Sequence, residues 1–164
     1  MAYCEKCGHK LTERECGIDG AAPFCESCGE FRFPTFSSAI SAIVMNPKKD
    51  KILLIQQYGK TDNILVAGYI AKGENAKQTL VREIKEETDL DVQEYIYNDN
   101  EYYEMTNTLM HNYVAICGDD TFKLTNEVDK AQWFSPDEAL KAVKPNSLAG
   151  YFLEKAVKNI ISKF

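Results

Sequence analysis

Apolar runs and their spacing mark out most of the chain. Residues 38–45 and 51–56 (KILLIQ) are short and apolar, with the turn Asn46-Pro47-Lys48-Lys49-Asp50 between them, so both read as strands. Residues 64–67 (ILVA) form a third strand that delivers the chain to Gly68. Asn75, with Gln78 three residues on, makes a capping-box-like start for a helix running to about Thr88. Leu80, Val81 and Ile84 supply the buried face of that helix. Residues 91–97 and 110–116 are further strands, and 122–124 a short one, while the polar run 98–105 reads as a loop. The stretch 127–134 then leads to Ser135, an N-cap followed by Pro136 at the first helical position. From Ser147, apolar residues recur at Ala149, Phe152, Leu153, Ala156, Val157, Ile160, Ile161 and Phe164, the spacing of an amphipathic helix. This order predicts an α/β fold in which a mixed β-sheet lies between helices.

The first 34 residues follow none of these patterns. Cys4 and Cys7, then Cys25 and Cys28, make two C-x-x-C pairs with 17 residues between them, each followed by glycine. Glycine lets the backbone turn tightly and aim both sulfurs at one point. Four thiolates suit tetrahedral zinc. So short a segment has too little apolar material to fold alone, and metal binding would supply the difference. We expect a structural zinc ribbon over residues 1–34 and a second domain over 35–164. Redox chemistry, the other use of C-x-x-C, needs only one pair and a βα setting that is missing. His9 reads as a surface residue, Cys16 lacks a paired cysteine, and Cys117 ends a strand as a core or edge thiol.

The composition of the 164 residues, 45% hydrophobic and 27% charged, is that of an ordinary globular protein. A net charge of −6 argues against general nucleic-acid binding, which needs a basic surface. No apolar run approaches the ~18 residues of a membrane span, and a signal peptide's apolar core is missing from the N-terminus. A cytoplasmic protein with no membrane association is expected.

Glu83, Glu86 and Glu87 are the candidate chemistry. At about 100° per residue, Glu87 lies ~40° from Glu83, and Glu86 ~60° on its other side. Taken alone, the stripe reads as a solvated acidic face or as oxygen ligands for Mg²⁺ or Mn²⁺. The wider pattern runs GYIAKGENAKQTLVREIKEETDL from Gly68 to Leu90. Gly68, Glu74 and Arg82-Glu83-Ile84-Lys85-Glu86-Glu87-Thr88 in this run are similar to the Nudix box. One position departs: the family has glycine where this chain has Asp89, a place suited to a left-handed residue ending the helix.

The resemblance implies a metal-dependent hydrolase of nucleoside diphosphates linked to another group. It implies that Glu83 and Glu87 bind Mg²⁺ or Mn²⁺, that Glu127 reaches in from a distal loop, and that Glu86 binds metal or takes a proton from water. Arg82 would orient Glu86 through an i,i+4 pair. A four-cysteine ribbon before such a domain resembles the NADH pyrophosphatase (NAD diphosphatase) branch. In that branch Phe33, Ala67 and Ala149 would stand beside the substrate, and the protein would be a homodimer. The branch's proline-rich Ser-Gln-Pro-Trp-Pro-Phe-Pro run is replaced here by residues 98–105. Three functions follow: cleavage of NADH or NAD to nicotinamide mononucleotide and AMP, cleavage of ADP-ribose or a nucleoside triphosphate, or a catalytically silent nucleotide-sensing module.

Overall fold

The computed structural model describes residues 2–164, which divide into two compact units, residues 2–36 and Ser37–Phe164. In the first unit, strands β1 (Thr12–Glu15), β2 (Ala21–Cys25) and β3 (Glu30–Phe31) form an antiparallel sheet in that order. Its apolar content is small. Phe24 meets Phe31 edge to face at 5.0 Å and carries the Arg14 guanidinium 3.8 Å from its centroid.

The second unit is built from β4 (Ser37–Met45), β5 (Ile52–Gln57), β6 (Val66–Tyr69), α1 (Ala76–Thr88), β7 (Val92–Tyr103), β8 (Thr108–Cys117), β9 (Val128–Phe134), α2 (Pro136–Ala142) and α3 (Leu148–Asn159). Its sheet runs β7-β8-β4-β5-β9, with β6 paired to β4 as well. The β4–β8 pair is parallel and the rest are antiparallel, so the sheet is mixed. Both faces are covered because β4 and β5 are apolar at nearly every position. Ile40, Ala42, Val44, Leu53 and Ile55 pack with Leu80 and Ile84 of α1, whereas Ile43, Met45, Ile52 and Leu54 pack with Phe152, Leu153 and Ala156 of α3. Each buried aliphatic side chain contributes roughly 1.5–3 kcal/mol.

Two local features shape the working end of this unit. β4 pairs with β6 over Ala39, Ile40, Ser41 and Ala42, but with β5 at Val44 and Met45, so β5 and β6 diverge as a fork from one strand. In β7 the register shifts between Tyr97 and Asp99, and Asn98 is the extra residue. Before this bulge Tyr97 faces Tyr113 on the α1 side. After it, Asp99, Glu101 and Tyr103 oppose Asn112, Met110 and Thr108. Odd-numbered residues thus change faces at Asn98.

Several expectations need correction. Residues 98–105 are not a loop: β7 continues through Tyr103, and a single 3-10 turn follows at Glu104–Thr106. The polar residues are tolerated in the strand because they find partners. Asn98 Nδ2 donates at 2.9 Å to both Asn112 Oδ1 and the Phe152 carbonyl, and Asp99 accepts from Lys155 and Tyr151 of α3. Residues 122–124 are not a strand, and Phe122 packs its ring against Trp133 instead. Val81 is 42% exposed, because Leu80, Ile84 and Glu87 take the inward arc. The last helix stops at Asn159, and Phe164 lies exposed beyond a 3-10 turn. Within the stretch 127–134, Val128–Phe134 is the whole of edge strand β9.

Candidate active site

The Asn75 side chain accepts from the N–H groups of Lys77 and Gln78, and Gln78 returns a bond to the Asn75 N–H, which fixes where α1 begins. Asp89 ends it in the left-handed region at φ 59°, its N–H bonded to the Lys85 carbonyl. Held at both ends, α1 presents its glutamates to the fork. Gly68 of β6 approaches Glu83 so closely that an added Cβ would stand 1.9 Å from the carboxyl carbon. Only a residue without a side chain permits that approach.

Arg82 organises the carboxylates. Its Nε and Nη2 grip Glu74 at 2.7 and 2.8 Å, and Nη1 donates to Glu83 at 2.7 Å and Glu86 at 2.9 Å. Nη2 also reaches the Tyr69 carbonyl at 3.3 Å. The arginine holds the Glu74 carboxyl down at about 2, with Thr79 adding a second hydrogen bond. Glu74 thus anchors the anchor, a role that its position eight residues upstream does not reveal.

Glu87 is in a different situation. It is buried, accepts from Gln57 Nε2 at 2.7 Å through Oε1, and leaves Oε2 buried without a partner. Burial, opposed by the Gln57 bond and reinforced by the charges of Glu83, Glu127 and Glu86, pushes its carboxyl up to about 7. Burial likewise raises Glu83. A carboxylate oxygen buried without a donor calls for a cation, and this donor set is the hard-oxygen type that suits Mg²⁺ or Mn²⁺. The donor chemistry of Glu87 suits such an ion, but among the described residues the carboxylates do not converge on one point, because Arg82 keeps Glu83 and Glu86 turned toward itself.

Glu83, Glu87, Arg82 and Glu127 line one cleft of about 540 Å³ together with Gly68 and Ala67. Its other walls come from the ends of β5 and β6 and from Tyr58, Tyr69, Tyr103 and Met110. Glu86 points away, largely exposed on Arg82. Ala149 lines a second, apolar cavity of about 310 Å³. The two cavities share Ala67, Tyr103 and Met110 as lining residues. Phe33 belongs to the first unit, where it is exposed and stacked on Phe31 at 6.1 Å. Gln57 and Tyr58 were beyond the sequence signals, since no motif marks them and only the fork brings them to the cleft. Glu74 stands within the box pattern, but its two-point grip on Arg82 does not show in its position.

In the first unit the four paired cysteines converge. Their sulfurs all lie within 4.8 Å of one another, with Cys7–Cys25 at 3.4 Å and Cys4–Cys28 at 3.9 Å. A zinc tetrahedron with ~2.3 Å bonds has edges of ~3.8 Å, so the cluster fits. Gly8 and Gly29 adopt φ of 73° and 70° and close matching turns, each N–H bonded at 2.8 Å to the carbonyl of Cys4 or Cys25. Burial opposes ionisation of Cys4, but Arg32 and backbone hydrogen bonds outweigh it and its thiol falls to about 6. His9 is exposed; its carbonyl accepts from the Cys4 N–H and its backbone N–H donates to the Cys7 sulfur. Buried Cys117 is pushed up to about 12 by desolvation.

Comparison with known proteins agrees with this geometry. The chain is 27% identical over 158 residues to the NAD-capped RNA hydrolase NudC of Pectobacterium atrosepticum, covering 94% of this chain and 59% of that protein. It is 30% identical over 149 residues to the protein of the same name from Haemophilus influenzae, covering 87% and 54%. The chain therefore spans little more than half the length of these relatives. Among solved structures, a NUDIX hydrolase from Nitrosomonas europaea superposes with a TM-score of 0.67 at 17% identity, covering 98% of this chain and 92% of that one. The NUDIX domain of Shewanella oneidensis NrtR, solved with ADP ribose, gives 0.65 at 15% identity, covering 84% and 94%. The NUDIX domain model matches residues 35–154, a span that holds the whole mixed sheet and the glutamate helix, and on that match the chain belongs to the Nudix hydrolase family.

Proposed function

We propose that this chain is a metal-dependent pyrophosphohydrolase whose preferred substrate is NADH or NAD, cleaved between its phosphates to nicotinamide mononucleotide and AMP. The observation that carries the reading is the buried, unpartnered Oε2 of Glu87 beside Glu83 in a cleft edged by Gly68. Glu83, Glu87 and Glu127 would hold Mg²⁺ or Mn²⁺, which when bound neutralises phosphate oxygens and activates water, and Glu86 would either join them on turning from Arg82 or take a proton from water. Arg82 fixes the directions of Glu83 and Glu86, Gln57 fixes Glu87, and the bare backbone of Gly68 leaves room for the Glu83 carboxyl group. A full set of carboxylates favours hydrolysis over silent nucleotide sensing.

The dinucleotide assignment rests on the relatives' name and on the four-cysteine cluster, which we assign to one structural zinc over residues 1–34. Free, clustered thiols suit a reducing compartment such as the cytoplasm, and among the described residues no helix is long and apolar enough to cross a membrane. Homodimerisation follows from the branch resemblance and is read by light scattering. The relatives are named for NAD-capped RNA. With a net charge of −6, this chain has little to offer an RNA backbone, so any capped RNA would be recognised through its NAD end.

A second reading, ADP-ribose, is favoured by the replacement of the branch's proline-rich run by the β7 extension. The deciding experiment measures kcat/KM with Mg²⁺ or Mn²⁺ for NADH, NAD, ADP-ribose, nucleoside triphosphates and an NAD-capped oligoribonucleotide, with products identified by mass. NADH should lead by less than about a hundredfold, since a few altered contacts change discrimination by ~10–200-fold. ADP-ribose or a triphosphate preferred tenfold or more would overturn the assignment.

A further inference from the structure

The apolar cavity of about 310 Å³ is at the lower end of the size range of small-molecule sites. It opens beside the glutamate cleft, and Tyr103 belongs to both. Tyr103 is there because of the bulge at Asn98, which turns it to the same face as Met110. That bulge is pinned from below: Asn98 bonds Asn112 and the Phe152 carbonyl, and Asn112 in turn bonds Ser41. Tyr103 therefore stands on a fixed strand, half-buried, with its hydroxyl 3.0 Å from the Met105 sulfur.

The rest of the cavity has little polarity to offer. Leu65, Met110, Leu148 and Phe152 form most of its wall, and besides Tyr103 the polar side chains are Ser41 and Ser147. Ser147 Oγ already donates to the Lys144 carbonyl at 2.6 Å and accepts from the Gly150 N–H at 3.1 Å. Ser41 Oγ accepts from Asn112 Nδ2. Each of the three hydroxyl oxygens already has a partner within the protein. A ring entering this cavity would meet aromatic and aliphatic surface, and almost nothing that could read the hydrogen-bonding pattern of its edge.

Resting on the hydrolase reading above, we infer that Tyr103 is a specificity-determining residue: one ring of the substrate stacks on it, and the cavity selects for the presence of a planar ring while ignoring its identity. Every base has a π-face, so stacking is tolerant of sequence and type. Strong rejection of the wrong base requires buried polar groups that the wrong base leaves unpaired, and here those groups are satisfied internally.

Binding to the 164-residue chain without added Mg²⁺ or Mn²⁺ tests this without requiring hydrolysis. Titrations followed by ligand-observed NMR would use AMP, nicotinamide mononucleotide and ribose 5-phosphate. AMP and nicotinamide mononucleotide should bind within about fivefold of each other, and ribose 5-phosphate at least tenfold more weakly, the scale of one base–aromatic stack. Tyr103→Ala should lower affinity for both base-bearing ligands about tenfold and leave ribose 5-phosphate unchanged, while Tyr103→Phe keeps wild-type binding. Tyr103→Leu, which retains apolar bulk, should behave as Tyr103→Ala and stands in for it should that variant fail to fold. Unaltered affinity in the folded Leu or Ala variant overturns the inference, as does a preference above a hundredfold between the two mononucleotides. If Tyr103-dependent binding is found in a protein that cleaves no diphosphate, the hydrolase reading fails and the ring site stands.

Discussion

The side-chain amide of Gln57 donates to Glu87 Oε1 at 2.7 Å, joining the end of β5 to the last turn of α1 across 30 residues of sequence. Both residues are buried, and the bond leaves one carboxylate oxygen committed and the other open. Gln57→Leu keeps the apolar fit but removes the donor. A hydrogen bond to a charged group contributes ~1.5–3 kcal/mol, so kcat/KM at saturating Mg²⁺ should drop by roughly ten- to a hundredfold. Circular dichroism should be unaltered. Undiminished turnover would mean that the amide does not position Glu87.

Glu87 should also give the metal-free protein an unusual pH dependence. Its folded-state carboxyl is raised from 4.5 to about 7, first by burial, so between these values the folded state binds more protons than the unfolded one. Stability then falls as pH rises through that window, by at most ~3 kcal/mol from this group. In Glu87→Gln the slope should disappear, and the variant should melt above wild type at pH 8 with chelator present. With Mg²⁺ its turnover should be lower by about 10³-fold, the cost of a lost transition-state electrostatic contact. Retention of more than a tenth of wild-type activity would remove Glu87 from the site.

Gly68→Ala separates function from folding. The new Cβ would collide with the carboxyl group of Glu83, the far end of a flexible side chain that can swing away. The fold should survive with Tm lowered by only a few degrees, while activity falls at least about a hundredfold, because a misplacement of ~1 Å costs that much. Comparable losses of stability and activity would argue for a purely structural glycine.

Cys25→Ser should lower zinc content below the one ion per chain expected of the wild type. It should also raise hydrogen exchange through residues 1–34 and leave the sheet of residues 37–134 protected. Cys25 is fully buried within the sulfur cluster and has a register partner in Glu30, so both the metal and the local strand pairing depend on it. Wild-type protein prepared without chelator and found free of zinc would refute the assignment.

Much of this was legible from residue order alone. The capping pair Asn75 and Gln78, the left-handed Asp89 and the apolar cores of β4 and β5 follow from local rules, and the structure carries each of them. The site was less legible, because its geometry depends on long-range pairing. Nothing near Gln57 signals a carboxylate 30 residues away, and nothing in Glu74 signals a bidentate grip on Arg82. Residues 98–105 misled for a physical reason. Asn, Asp and Glu in succession resemble a solvated loop until α3 and Asn112 supply the partners that make a strand affordable.

The extra residue at Asn98 gives this edge of the sheet a spare unit of length. Tyr97 opposes Tyr113 and Asp99 opposes Asn112, so deleting Asn98 would restore simple alternation and leave every residue from Asp99 to Tyr103 on its present face. Closing the bulge without a deletion would instead slip the strand by one residue and turn Tyr103 away from Met110 in a single step. The ring surface beside the cleft is therefore held by how the strand accommodates its spare residue, and the glutamates of α1 are untouched by either change.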